Sequence, residues 1–206
     1  MPDRKLNANK TALLILELQN DVIAADGAFA SSGAPAHADK QKLVANVKRL
    51  ADAMRSAGGT VVHVHYIVEP GAPGLKQNAP LYRGVLSNNA LVRGTRGAAP
   101  VPGLEPKPGD FLVEKMRMNA FYGTRLDPIL QGRGIETLVI TGSWTNFSVE
   151  HTARHGADAG YEIVLATDGT STIDDEWQNA ATNYALREIA DRLTCDEILR
   201  ALGTSA

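Results

Sequence analysis

Three polar side chains stand at the ends of apolar runs, and their types define the chemistry open to this sequence: Glu17, Lys115 and Ser148. Glu17 closes the run Leu13, Leu14, Ile15, Leu16, where an unpaired carboxylate would be costly, so it requires a partner. Lys115 follows Phe111, Leu112, Val113 and Glu114, and its ammonium can meet that need. Ser148 follows the run 138–141 across a polar turn, at the expected start of a helix. Unpaired backbone N–H groups and the positive end of the macrodipole favour a negatively charged oxygen at such a position. Taken alone, a serine there is an N-cap worth about 1 kcal/mol. Thr145 and Asn146 are equally competent caps, and an isolated glutamate and lysine make an ordinary ion pair. An acid, an amine and an alcohol arriving from three separate strand ends point to more. A serine hydroxyl attacks a carbonyl only while a base removes its proton, and Glu17 is the candidate base.

The elements that must position these groups follow from periodicity. Residues 11–18, 60–67, 111–114, 137–141 and 162–166 are nearly continuous apolar runs, as in strands buried on both faces of a parallel sheet. Residues 192–194 add an edge strand. Helices are expected over 40–57, 124–131, 147–159, 176–191 and 196–202, with glycines at their stops. The alternation predicts an α/β protein, a three-layer α/β/α sandwich around six parallel strands. Its length suits one domain over 1–206, with an N-terminal extension at 1–10. Ligands of such folds bind beyond the carboxyl ends of the strands. Two long connections, 21–39 and the Pro- and Gly-rich 69–110, are expected to wall that site and to supply contacts in a homo-oligomer, a dimer or a tetramer.

Composition narrows the partners. The net charge is −2 with both signs interspersed, which offers no field for nucleic acid or an anionic membrane and leaves a small molecule as the expected partner. No apolar run reaches the roughly 20 residues of a membrane span, and the first residues lack a leader's apolar stretch, so a cytoplasmic protein is expected. The single Cys195 reads as a structural thiol. His63 and His65 share one face of a strand, and His151 and His155 are one helical turn apart, but neither pair has a third ligand beside it. Neither a metal nor another cofactor is expected.

The three site segments together resemble the isochorismatase-like, or cysteine hydrolase, superfamily, which includes nicotinamidases, N-carbamoylsarcosine amidases and isochorismatases. The family's D-x-Q-N-D-F motif is matched by Glu17, Leu18, Gln19, Asn20, Asp21 and Val22. Its K-x-R-x-S-A-F-x-x-T-x-L motif is matched by Lys115, Arg117, Asn119, Ala120, Phe121, Thr124 and Leu126. Its G-x-x-T-N-x-C-V-x-x-T-A-R motif is matched by Gly142, Thr145, Asn146, Ser148, Val149, Thr152, Ala153 and Arg154. Asp158, Gly160, Tyr161 and Asp168 fall where the family has its D-x-G-Y and a following aspartate. The resemblance implies a Rossmann-like sheet in the order 3-2-1-4-5-6. It also implies a cis peptide before Trp144 and an oxyanion hole from the backbone N–H groups of Trp144 and Ser148. The departures fall on the chemistry, for Glu17 replaces the family's catalytic aspartate and Ser148 its cysteine, whereas Lys115 is unchanged.

Gln19, Asn119 and Asn146 are candidates for amide recognition, and Phe121 and Tyr122, with Trp144, Phe29 and Phe147, for enclosing a planar substrate. Three functions remain open. The favoured one is hydrolysis of an amide or carbamoyl C–N bond through a Glu-Lys-Ser triad. The resemblance also allows vinyl-ether hydrolysis with Glu17 as general acid, and the two exchanges would suit a non-catalytic ligand-binding relative.

Overall fold

The computed structural model describes residues 4–203. Six strands form one sheet: β1 Thr11–Leu16, β2 Thr60–Tyr66, β3 Phe111–Lys115, β4 Thr137–Ser143, β5 Glu162–Ser171 and β6 Asp191–Leu193. Their order is β3-β2-β1-β4-β5-β6, and every neighbouring pair is parallel. The helices are α1 Asn20–Ile23, α2 Ala34–Lys40, α3 Leu43–Ser56, α4 Pro80–Ser87, α5 Leu126–Gly132, α6 Glu150–Asp158, α7 Asp175–Asn179 and α8 Cys195–Ala201.

Strand pleating explains the layers. In β1, Leu13 and Ile15 pack with Val47, Leu50 and Met54 of α3 and Ile198 of α8, whereas Ala12, Leu14 and Leu16 pack with Leu126 and Leu130 of α5 and Ala153 of α6. Successive side chains of one strand therefore feed two cores, and all six residues of β1 are buried. The sheet is the sandwich that the apolar runs predict. The Cys195 thiol lies in the first core, where burial pushes it far above the ordinary cysteine range.

Several boundaries differ from the sequence reading. The helix expected over 40–57 starts later, as α3, because Lys42 adopts a left-handed φ of 52° before it, and α2 lies in the connection read as 21–39. Side-chain amides hold that break: Gln41 donates to the carbonyls of Thr167 and Thr170, and Asn46 to those of Gln41 and Asp168. Helix α7 passes into a π-helical segment, Ala180–Ala185, rather than continuing to 191. The apolar spacing of Leu186, Ile189 and Ala190 serves a turn packed on the sheet. Strand β5 runs beyond 166 through Thr167, Asp168, Gly169, Thr170 and Ser171, residues with no apolar signal. Of the N-terminal extension, residues 1–3 lie outside the described residues. The remainder is anchored by Leu6, whose N–H donates to the Ala201 carbonyl, and by Arg4, which pairs with Glu162 and Asp191.

Both long connections close over the carboxyl ends of the strands, and the second contains α4. Asp21 and Asp26 tie them together: the Asp21 carboxylate accepts from the N–H of Ala28 in the first and of Leu91 in the second, and Asp26 pairs with Arg96. Gly97 lies so near that a Cβ there would sit 2.1 Å from the Asp21 carboxylate.

Candidate active site

Strand β1 ends at Leu16, and Glu17 turns back over the strand end with a φ of 53°. That left-handed conformation is strained for a residue with a Cβ. The Glu17 N–H is still held by the Val64 carbonyl at 2.9 Å. Next to it, Gly142 of β4 pairs with Leu16, and a Cβ on Gly142 would fall 2.1 Å from the Leu16 carbonyl oxygen. Glycine at 142 thus lets the ends of β1 and β4 come together. The chain then passes through a cis Ser143–Trp144 peptide, as the resemblance implies, into a π-helical turn, Thr145–Val149.

Ser148 sits inside that turn rather than at the N-terminus of a helix. The N-cap position of α6 is Val149, with no side-chain cap. Instead, the Ser148 hydroxyl donates to Glu17 Oε1 and accepts from Lys115 Nζ at 3.0 Å. Lys115 reaches the site from β3, passing the end of β2 with its Nζ 5.4 Å from the centre of the Tyr66 ring. There it pairs with Glu17 Oε1 and donates to the carbonyls of Arg117 and Met118 at 2.8 and 2.6 Å.

All three groups are buried, with the Lys115 side chain and Ser148 at 0% exposure and the Glu17 side chain at 7%. Burial pulls the Lys115 ammonium below the ordinary lysine value, and the charge of Glu17 opposes that pull. Burial also holds the Tyr66 phenol far above the ordinary tyrosine range, with Glu17 adding to it.

A cavity of about 40 Å³ lies against Glu17 and Ser148. Val22 and Phe29 of the first connection and Leu81, Val85 and Leu91 of the second form its outer walls. Trp144 and Phe147 of the turn, with Tyr66 and Met118, complete it. The Trp144 indole N–H is buried with no hydrogen-bond partner.

Of the expected substrate-contacting residues, Phe29, Trp144 and Phe147 line this cavity, whereas Gln19, Asn119, Phe121, Tyr122 and Asn146 fall outside it. Gln19 is fully buried and serves as a backbone bracket, donating to the carbonyls of Tyr66 and Ala98 and accepting from the Tyr66 N–H. Phe121 belongs to the second core, with its ring stacked on His155 at 4.6 Å. Asn146 accepts from the Thr172 hydroxyl and braces the π-helical turn. Asn119 and Tyr122 line a separate outer groove with Tyr82, Arg117 and His151, and Met118 is common to that groove and the cavity. Tyr66 and Met118 do contact the site, and the sequence reading did not single them out. The Met118 sulfur is 3.5 Å from Ser148 Oγ. Among the described residues no group of three or more His, Cys, Asp and Glu side chains is placed to hold a metal ion, and His63 pairs with Asp110 instead. No helix among them is long and apolar enough to cross a membrane.

The model of the isochorismatase domain matches residues 11–197, which takes in all three strand ends. The chain belongs to the isochorismatase family. Its relatives include ureidoacrylate amidohydrolase RutB of Rhizobium rhizogenes, 32% identical over 87% of this chain and 77% of that protein. Among solved structures, a cysteine hydrolase from Pseudomonas syringae pv. phaseolicola superposes with a TM-score of 0.86 at 23% identity, over 95% of this chain and 93% of the other. N-carbamoylsarcosine amidase from Thermoplasma acidophilum superposes with a TM-score of 0.71 at 26% identity, over 91% and 97%. The protein is an isochorismatase-family hydrolase, and its sheet order is the one the family resemblance implied.

Proposed function

We propose that this hydrolase cleaves the C–N bond of a small amide or carbamoyl compound, with Ser148 as nucleophile. The observation that carries the reading is the placement of Ser148 Oγ against both the Glu17 carboxylate and the Lys115 ammonium in a buried cavity. The hydroxyl attacks the carbonyl carbon while its proton passes to Glu17. Lys115 donates to the same oxygen and stabilises it as negative charge develops. Backbone N–H groups of Trp144 and Ser148 receive the carbonyl oxygen, a role that does not depend on whether residue 148 is serine or cysteine. The proton on Glu17 then moves to the leaving nitrogen, the C–N bond breaks, and an acyl ester remains on Ser148. Water attacks that ester with Glu17 again as base, releasing the acid and restoring the hydroxyl.

Two relatives support the choice of bond, because ureidoacrylate amidohydrolase and N-carbamoylsarcosine amidase both carry C–N hydrolysis in their names. Vinyl-ether hydrolysis is less well supported, since neither of these two relatives carries it in its name.

A panel of simple amides and carbamoyl compounds, read by release of ammonia or amine, tests the proposal. Ser148→Ala should lower kcat/KM by about 1,000-fold or more on any substrate found. Retention of wild-type turnover by that variant would remove Ser148 from the mechanism.

A further inference from the structure

We infer that the substrate group lodged beside Ser148 is uncharged and apolar, an aliphatic or aryl acyl group rather than one bearing a carboxylate. The inference deepens the amidase reading and rests on it. Its first ground is the wall, which away from Glu17 and Ser148 carries no charge: Val22, Phe29, Leu81, Val85, Leu91 and Phe147 are hydrocarbon or aromatic, and Trp144 adds only an uncharged indole N–H. The second is that, among the described residues, none of those lining the cavity is a lysine or an arginine. Lys115 is shared among Glu17, Ser148 and the carbonyls of Arg117 and Met118, so its charge and its donors are already committed. The Tyr66 hydroxyl donates to the Met116 carbonyl at 2.7 Å.

Arg117 is close in sequence but faces elsewhere. Its guanidinium lies 3.7 Å from the centre of the Tyr82 ring, donates to the Lys76 carbonyl and Asn78 Oδ1, and borders the outer grooves rather than the cavity. An acyl carboxylate entering the cavity would therefore meet the charge of Glu17 and no counter-ion. Burying an ion without a partner carries a heavy penalty, whereas apolar surface gains from the same walls.

Binding and turnover of isobutyramide, benzamide and succinamate by the wild-type protein test this. Thermal shift and titration should show stabilisation by the two neutral amides and a Kd for succinamate at least ~100-fold weaker, as expected for an unpaired buried carboxylate. Succinamate binding as tightly as isobutyramide, or no binding by either neutral amide, would overturn the inference. Binding of the neutral amides without turnover supports it while counting against Ser148 chemistry. Preferential cleavage of succinamate overturns it while leaving the hydrolase reading intact. Leu81 is only partly buried, and Leu81→Arg should bring a cation to the wall, narrowing the gap between succinamate and isobutyramide by tenfold or more. An unchanged ratio in a folded Leu81→Arg protein would also count against the inference.

Discussion

Glu17 and Lys115 share one burial problem, and each is tolerable only because the other is present. Glu17→Gln keeps the shape and removes the charge, leaving an ammonium with no ionic partner in the core. Loss of about 3–5 kcal/mol in urea denaturation is expected, together with loss of turnover. Ser148→Ala leaves the ion pair intact, so its stability should stay within about 1 kcal/mol of wild type while activity collapses. The two variants thus separate holding the site together from performing its chemistry. Trp144→Phe keeps an aromatic ring but deletes the pyrrole half of the indole with its buried, acceptor-less N–H, so any stability lost by the unliganded protein should be that of the missing packing and not of a hydrogen bond. Sequence disclosed the three reacting groups because each interrupts an apolar run at its end. It did not disclose Tyr66 and Met118, which look like ordinary core residues until the strand order places β2 between Lys115 and Glu17. Gln19 shows the opposite limit: an amide just past a buried strand end is as useful for bracketing backbone as for gripping a ligand, and here it brackets backbone.

At the scale of elements, the site depends on how closely β1 and β4 approach. Gly142 combines a φ of 124° with contact to the Leu16 backbone, so Gly142→Ala must push the two strand ends apart. A destabilisation of at least ~2 kcal/mol is expected, with activity falling further than stability alone explains because Glu17 and Ser148 ride on those two ends. Thermal melts and kcat measured on the folded fraction would check both parts. The strands were legible because parallel burial writes continuous apolar runs. Their polar extensions were not: β5 continues past a register shift to Thr170 and Ser171, which pair with Gly142 and Ser143 through the backbone, and the side chains of 167–171 carry no periodic signal. The π-helical turn was hidden for a related reason, since Thr145 to Val149 satisfy the pattern of an ordinary helix start while the backbone widens to bring the serine inward.

For the molecule as a whole, acid should be the weak direction. On β2, burial pulls His65 from 6.5 down to about 4, and His63 beside it is also lowered by burial despite the facing Asp110. Asp110, bound to Arg55 and His63, sits below the usual carboxylate range, as does Glu114 beside Arg93. The unfolded chain takes up these protons first, so the histidine contribution is complete above about pH 6.5 and drains as the pH falls toward 4, and the carboxylate contribution drains only below the ordinary values of 4.5 for Glu114 and 3.8 for Asp110. For His65 alone the loss is on the order of 2 kcal/mol, and His65→Gln should flatten the urea midpoint between pH 7 and pH 5. Asp21 has a different reach, because its single carboxylate grips both connections that roof the nucleophile. Lifting either connection by itself would break one of these two bonds, so the carboxylate couples the two covers of the site. Asp21→Ala should loosen both, raising the protease sensitivity of segments 24–39 and 69–100 together, whereas equal protection in wild type and variant would show that Asp26–Arg96 and the Asn20 amide suffice.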